Sequence, residues 1–100
     1  MPDIEQGDML KIEGIGYPVI VVSNDFFNRS GMAIVCPIAR TAVPGPLHIP
    51  IQQNTVEGVV LCEQVKFLDL HVRHYSKLTQ THYFDIMDIS DAVVSMFEYQ

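Results

Sequence analysis

Cationic side chains are scarce in this 100-residue sequence: six Lys and Arg stand against twelve Asp and Glu, for a formal net charge of −6. Phosphate backbones are held by Lys and Arg, so this balance excludes a protein that coats nucleic acid without selectivity. Any contact with RNA must be confined to one small patch. An acidic surface instead suits a protein partner with a basic region. Cysteine is nearly absent, with Cys36 and Cys62 far from CxxC spacing, and the four histidines form no HExxH, so the strong zinc signatures are missing. In a reducing compartment two cysteines inside strand-like runs read as small buried hydrophobes. No apolar run approaches the roughly 20 residues of a bilayer-crossing helix. The start, Met1-Pro-Asp-Ile-Glu5, lacks the cationic stretch of a secretion signal, so a cytoplasmic protein with no membrane contact is expected.

What is present is apolar and β-branched. Hydrophobic residues make up 48% of the chain and charged ones 18%, which describes a globular domain with more apolar surface than a small monomer hides, so a subunit interface is expected. The length allows one domain, residues 1–100. Two runs dominate: Pro18-Val-Ile-Val-Val-Ser-Asn-Asp-Phe-Phe-Asn28 and Gly58-Val-Val-Leu-Cys-Glu-Gln-Val-Lys66. Val and Ile lose little freedom when the backbone is extended, and both runs end in polar residues where a buried strand stops. Those ends, Ser23-Asn24-Asp25 and Glu63-Gln64, place polar groups where a barrel presents them to a ligand.

Alternation and turn residues predict further strands at Gly7–Ile12, Met32–Ile38 and Phe67–Leu70, with Leu47–Ile51 as an edge strand because Pro50 cannot donate to a ladder. Asp25 is placed to cap a helical turn, and Leu70 to Tyr75 to include another. Residues 39–46, with Arg40, Thr41, two prolines and a glycine, read as a loop. From Thr79 the apolar period changes to helical, with Tyr83, Ile86, Met87, Ile89, Val93, Met96 and Phe97 on one face. This predicts a helix of roughly 18 residues over about 80–97, N-capped by Thr79. Asp85, Asp88 and Asp91 read as its solvated face.

Four segments in order, Gly7-Asp8, Pro18 to Asn24, Ile34-Val-Cys-Pro-Ile38 and Val59 to Lys66, resemble the MazF/PemK toxin family of type II toxin–antitoxin systems. The resemblance implies a mainly β fold, an SH3-like barrel over about 7–70 with a C-terminal helix. It also implies a homodimer, an antitoxin partner, and an endoribonuclease that cuts single-stranded mRNA without a metal or other cofactor. One departure stands out. The family carries an Arg before the Pro of the second strand, and Tyr17 occupies that place here, after a shortened loop.

Metal-free RNA cleavage needs a base for the 2′-hydroxyl, an acid for the leaving 5′-oxygen and a cation for the developing phosphorane charge. The resemblance assigns these to Arg40 and Thr41, which would hold phosphate, and to Glu63 as a proton carrier or a support for the strand end. Tyr17, His48, Gln64 and Ser23 are expected to contact substrate. His71, His74 and His82 are expected to serve the surface or the fold, and Asp69 and Arg73 the fold and dimer contacts. The alternative is a non-catalytic module on the same scaffold, either a protein-target poison like the CcdB branch or an inactive antitoxin-binding homologue. Tyr17, the short loop and the acidic charge favour that alternative.

Overall fold

A computed structural model describes residues 3–99. In chain order its elements are β1 (Asp8–Ile12), β2 (Val19–Val21), α1 (Asp25–Asn28), β3 (Met32–Ala39), β4 (His48–Gln53), β5 (Val56–Leu61), β6 (Lys66–Asp69), β7 (Tyr75–Gln80) and α2 (Tyr83–Ser95). The strands form one antiparallel sheet in the order β4-β5-β3-β2-β1-β7, with β6 alongside the first half of β3. The sheet forms a half-barrel, and α2 packs against one of its faces.

The unbroken apolar character of the central strands has a physical cause: both of their faces are buried. Met9, Ile20, Cys36, Ile38 and Val60 turn to one side, where Ile86, Ile89 and Ala92 of α2 meet them. The alternate residues Leu10, Val19, Val21, Ala33 and Val35 turn to the other side and meet Ile4, Leu68 and Leu70. Each fully buried Leu, Ile or Val side chain contributes about 1.5–3 kcal/mol relative to exposure. Cys36 and Cys62 are unpaired and buried within the first cluster. Burial pushes their thiols up to about 12 and about 11.

Gly7 and Asp8 serve the fold. Gly7 takes φ +93°, open to glycine, and its N–H donates to Val21 O at 2.8 Å. The Asp8 carboxylate is nearly buried; it accepts from Glu5 N at 2.9 Å and faces Lys77 Nζ at 3.3 Å. These contacts tie the chain's start to β7.

Three expectations need correction. Leu70 to Tyr75 contains no helical turn, and Tyr75–Gln80 forms β7, paired along the whole of β1. Most of its side chains are exposed, so backbone pairing holds it rather than an apolar stripe, and periodicity does not reveal it. Thr79 therefore lies in a strand, and α2 begins later, with His82 as its N-cap and no side-chain capping bond. Its inward stripe is Ile86, Ile89 and Ala92, a narrower face than the pattern predicts. Tyr83, Met87 and Phe97 point outward. At α1 the cap is Asn24, whose side chain accepts from Phe27 N at 2.9 Å, while Asp25 accepts from Gln6 N at 2.7 Å.

Among the described residues no helix is long and apolar enough to cross a membrane.

Candidate functional site

An open groove of about 1060 Å³ runs across the sheet end where β2 begins and β3 finishes. Tyr17 and Arg40 line it together, and the backbone explains why. Ile38 N donates to Pro18 O at 2.9 Å, the last rung between these two segments; Tyr17 lies one residue beyond it on one side and Arg40 two residues beyond it on the other. Past that rung both side chains are free of the core, and both are exposed. Arg40 is the sole Lys or Arg lining the groove; Glu57 and Asp85 are its lining carboxylates.

Glu63 lies elsewhere. Ala39 pairs with Val59, so Arg40 extends beyond the start of the β5 pairing, while Glu63 is four residues past Val59 in the other direction. Thr41 and Glu63 are not among the residues that line the groove with Arg40.

Glu63 instead faces His48. Nε2 lies 3.0 Å from each carboxylate oxygen, and Nδ1 lies 3.0 Å from Val43 O. With both ring nitrogens donating, the imidazolium is the form that satisfies all these acceptors. The hydrogen bond to Glu63 raises the His48 pKa above 6.5, with help from the Val43 carbonyl; the same bond holds the Glu63 carboxyl below 4.5. Val43 belongs to the loop that carries Arg40 and Thr41. Gly45 and His48 exchange two backbone bonds of 3.1 Å, and Cys62 N donates to Leu47 O at 2.9 Å. His48 thus ties the Arg40–Thr41 loop to the turn that bears Glu63.

The remaining predicted site residues separate. Thr41 is exposed, one residue after Arg40. Gln64 is exposed, and its backbone N–H donates to Leu61 O at 3.1 Å. Ser23 is turned inward: its hydroxyl donates to Asn28 Oδ1 at 2.5 Å and accepts from Ile34 N at 2.9 Å. With 8% exposure and both bonding capacities used, it joins β2, α1 and β3 rather than meeting a ligand. Asp69 accepts from the backbone N–H and Nδ1 of His71, each at 2.9 Å, and these bonds hold its carboxyl below 3.8. That pair shapes the turn after β6. Among the described residues no three His, Cys, Asp or Glu side chains are grouped as a metal ion requires.

One residue given no role from sequence contacts a groove residue. Lys66, the first residue of β6, donates from Nζ to the Tyr17 hydroxyl and stands 5.1 Å from the centre of its ring. Its place at the end of the second apolar run is visible in the sequence; its reach to Tyr17, 49 residues earlier, is not.

Comparison with known proteins places the chain. The family described as PemK-like, MazF-like toxin of type II toxin-antitoxin system matches residues 11–97. The endoribonuclease toxin ChpB of Escherichia coli (strain K12) is 33% identical over 88 residues, covering 71% of this chain and 74% of that protein. Among solved structures, MazF in a MazE–MazF crystal structure from Deinococcus radiodurans superposes with a TM-score of 0.83, at 22% identity, over 94% of this chain and 95% of that one. An endoribonuclease in complex with its cognate antitoxin, from mycobacterial species, gives 0.81 at 17% identity over 94% of each chain. These two likenesses bear on the fold alone.

Proposed function

The chain belongs to the PemK-like, MazF-like toxin family of type II toxin–antitoxin systems, and from that premise we propose that it is an endoribonuclease that cuts single-stranded mRNA without a metal ion. The observation that carries this reading is the 33% identity with the endoribonuclease toxin ChpB across most of both chains. The groove supports it. Arg40 offers a planar fork suited to two phosphate oxygens, and the Thr41 hydroxyl offers one further donor. Charge placed there stabilises the phosphorane as the 2′-oxygen attacks.

His48 and Glu63 act by position. Their ion pair, and the bond from His48 to Val43 O, fix the loop on which Arg40 and Thr41 stand. Gln64 is placed at the neighbouring turn as a contact for RNA bases. A cognate antitoxin and a second copy of the chain complete the assembly. The acidic net charge suits a basic antitoxin segment, and the exposed Phe84, Val94 and Phe97 supply apolar area for association.

Incubation with a long unstructured mRNA in the presence of chelator tests this. Fragments ending in 2′,3′-cyclic phosphate are expected. Arg40→Ala should lower the rate by roughly 10²–10³, the range for loss of one charge-stabilising donor, with thermal stability unchanged. Growth arrest by a protein that leaves all RNA intact would overturn the reading in favour of a binding module on this scaffold.

A further inference from the structure

The groove has a charge deficit. Its lining includes one cation, Arg40, against Glu57 and Asp85, an arrangement that repels a polyanion along most of its length. Only the Tyr17 end escapes this. There Lys66 brings a second positive charge to within hydrogen-bonding contact of the phenol, and among the described residues no carboxylate lies within ion-pair distance of it. Lys77, by contrast, is engaged by Asp8 and Asp3.

The direction of the Lys66–Tyr17 bond matters. An ammonium has only donors, so the Tyr17 oxygen accepts, and its own hydrogen is left pointing away from Lys66. Lys66 has further N–H groups, and both residues are exposed. Among the described residues no other hydrogen bond takes up these donors. The Lys66 ammonium and the Tyr17 O–H therefore present two donors to one acceptor approaching from solvent, and an anionic oxygen gains most from that arrangement.

We propose that Lys66 and Tyr17 together form a phosphate-binding subsite for single-stranded RNA at the Tyr17 edge of the groove. This rests on the endoribonuclease reading and extends it: RNA passes the Tyr17 edge with one phosphate on Lys66 and Tyr17. The cation at this end of β2 comes from a different strand, β6, and acts through the tyrosine beside it.

The test is binding of a random-sequence, 2′-O-methyl single-stranded RNA pool, which cannot be cut, by the full-length protein across a salt series. Lys66→Met should weaken binding roughly tenfold, as expected for loss of a charged hydrogen bond. It should also reduce the slope of log affinity against log salt by about 0.7, the value for one phosphate contact on a single strand. Lys66→Arg should retain the wild-type slope, and Tyr17→Phe should weaken binding with the slope unchanged. A merely structural Lys66 would alter the melting temperature and leave the slope alone. An unchanged slope and affinity in Lys66→Met overturns the subsite. Wild-type binding without cleavage of ordinary RNA overturns the endoribonuclease while the Lys66 slope still decides the subsite. Absence of wild-type binding overturns both.

Discussion

His48 stands with one ring nitrogen equidistant from both oxygens of Glu63, 3.0 Å from each, while its other nitrogen holds the carbonyl of Val43. The imidazolium is needed for both attachments, so the brace on the Arg40–Thr41 loop carries a dependence on pH.

The sign follows from the two shifts. The raised His48 value means that its contribution is fully present below the unfolded value of 6.5 and fades as pH rises through the folded value. The depressed Glu63 value means that its contribution is fully present above 4.5 and is lost as pH falls through the folded value. The brace is therefore complete between 4.5 and 6.5. Amide hydrogen exchange in residues 41–47 should accelerate above that window, beyond the intrinsic pH effect, and His48→Gln should abolish this excess. Equal excess in wild type and variant would remove the pair from loop control.

Ser23→Ala should affect the fold and spare the groove. It leaves Ile34 N and Asn28 Oδ1 without the hydroxyl, and a buried polar group left unpaired costs about 1–3 kcal/mol. Urea unfolding should show that loss, while RNA cleavage by the still-folded fraction should match wild type. A cleavage defect at unchanged stability would return Ser23 to the substrate.

Gly58→Ala should damage both. A Cβ at Gly58 would stand 2.4 Å from the backbone oxygen of Ala39 and 2.9 Å from Ile38 Cγ2, so β3 and β5 must move apart next to Arg40. Overpacking of this kind costs about 1–3 kcal/mol, and the displaced Arg40 should lower cleavage as well. Thermal unfolding and a single-turnover assay read the two effects separately.

Cys36 and Cys62, buried and with thiols pushed up to about 12 and about 11, should resist a thiol-specific disulfide reagent at pH 8 in the native protein. Both should react in strong denaturant. Rapid native labelling would show that the cluster beneath α2 opens readily.

The sequence reveals much of the fold because the central strands are buried on both faces, and such burial writes itself as unbroken Val and Ile. β2, β3 and β5 are legible for that reason, and the edge position of β4 follows from Pro50. β7 is not legible: its residues face solvent, and its strand character comes from pairing with β1 some seventy residues away. The site is legible in part. Arg40 and Tyr17 emerge at the groove because each flanks a strand end, which turn residues mark well. Lys66 does not emerge, because its contact with Tyr17 depends on where β6 runs beside β3. The partner of Glu63 is not legible either: it is His48, and only the pairing of β4 with β5 brings the two together.

The partnership of β1 with β7 also governs when the molecule comes into being. β1 finds β2 early, but Asp8 lies across from Gln80, so the other edge of β1 stays open until synthesis has passed residue 80. Pairings that distant carry a large loop-closure cost, which places assembly in the slow regime of β-rich domains. A product that stops short of β7 thus has no finished sheet, and it lacks Leu78 and Asp85, which help to line the groove.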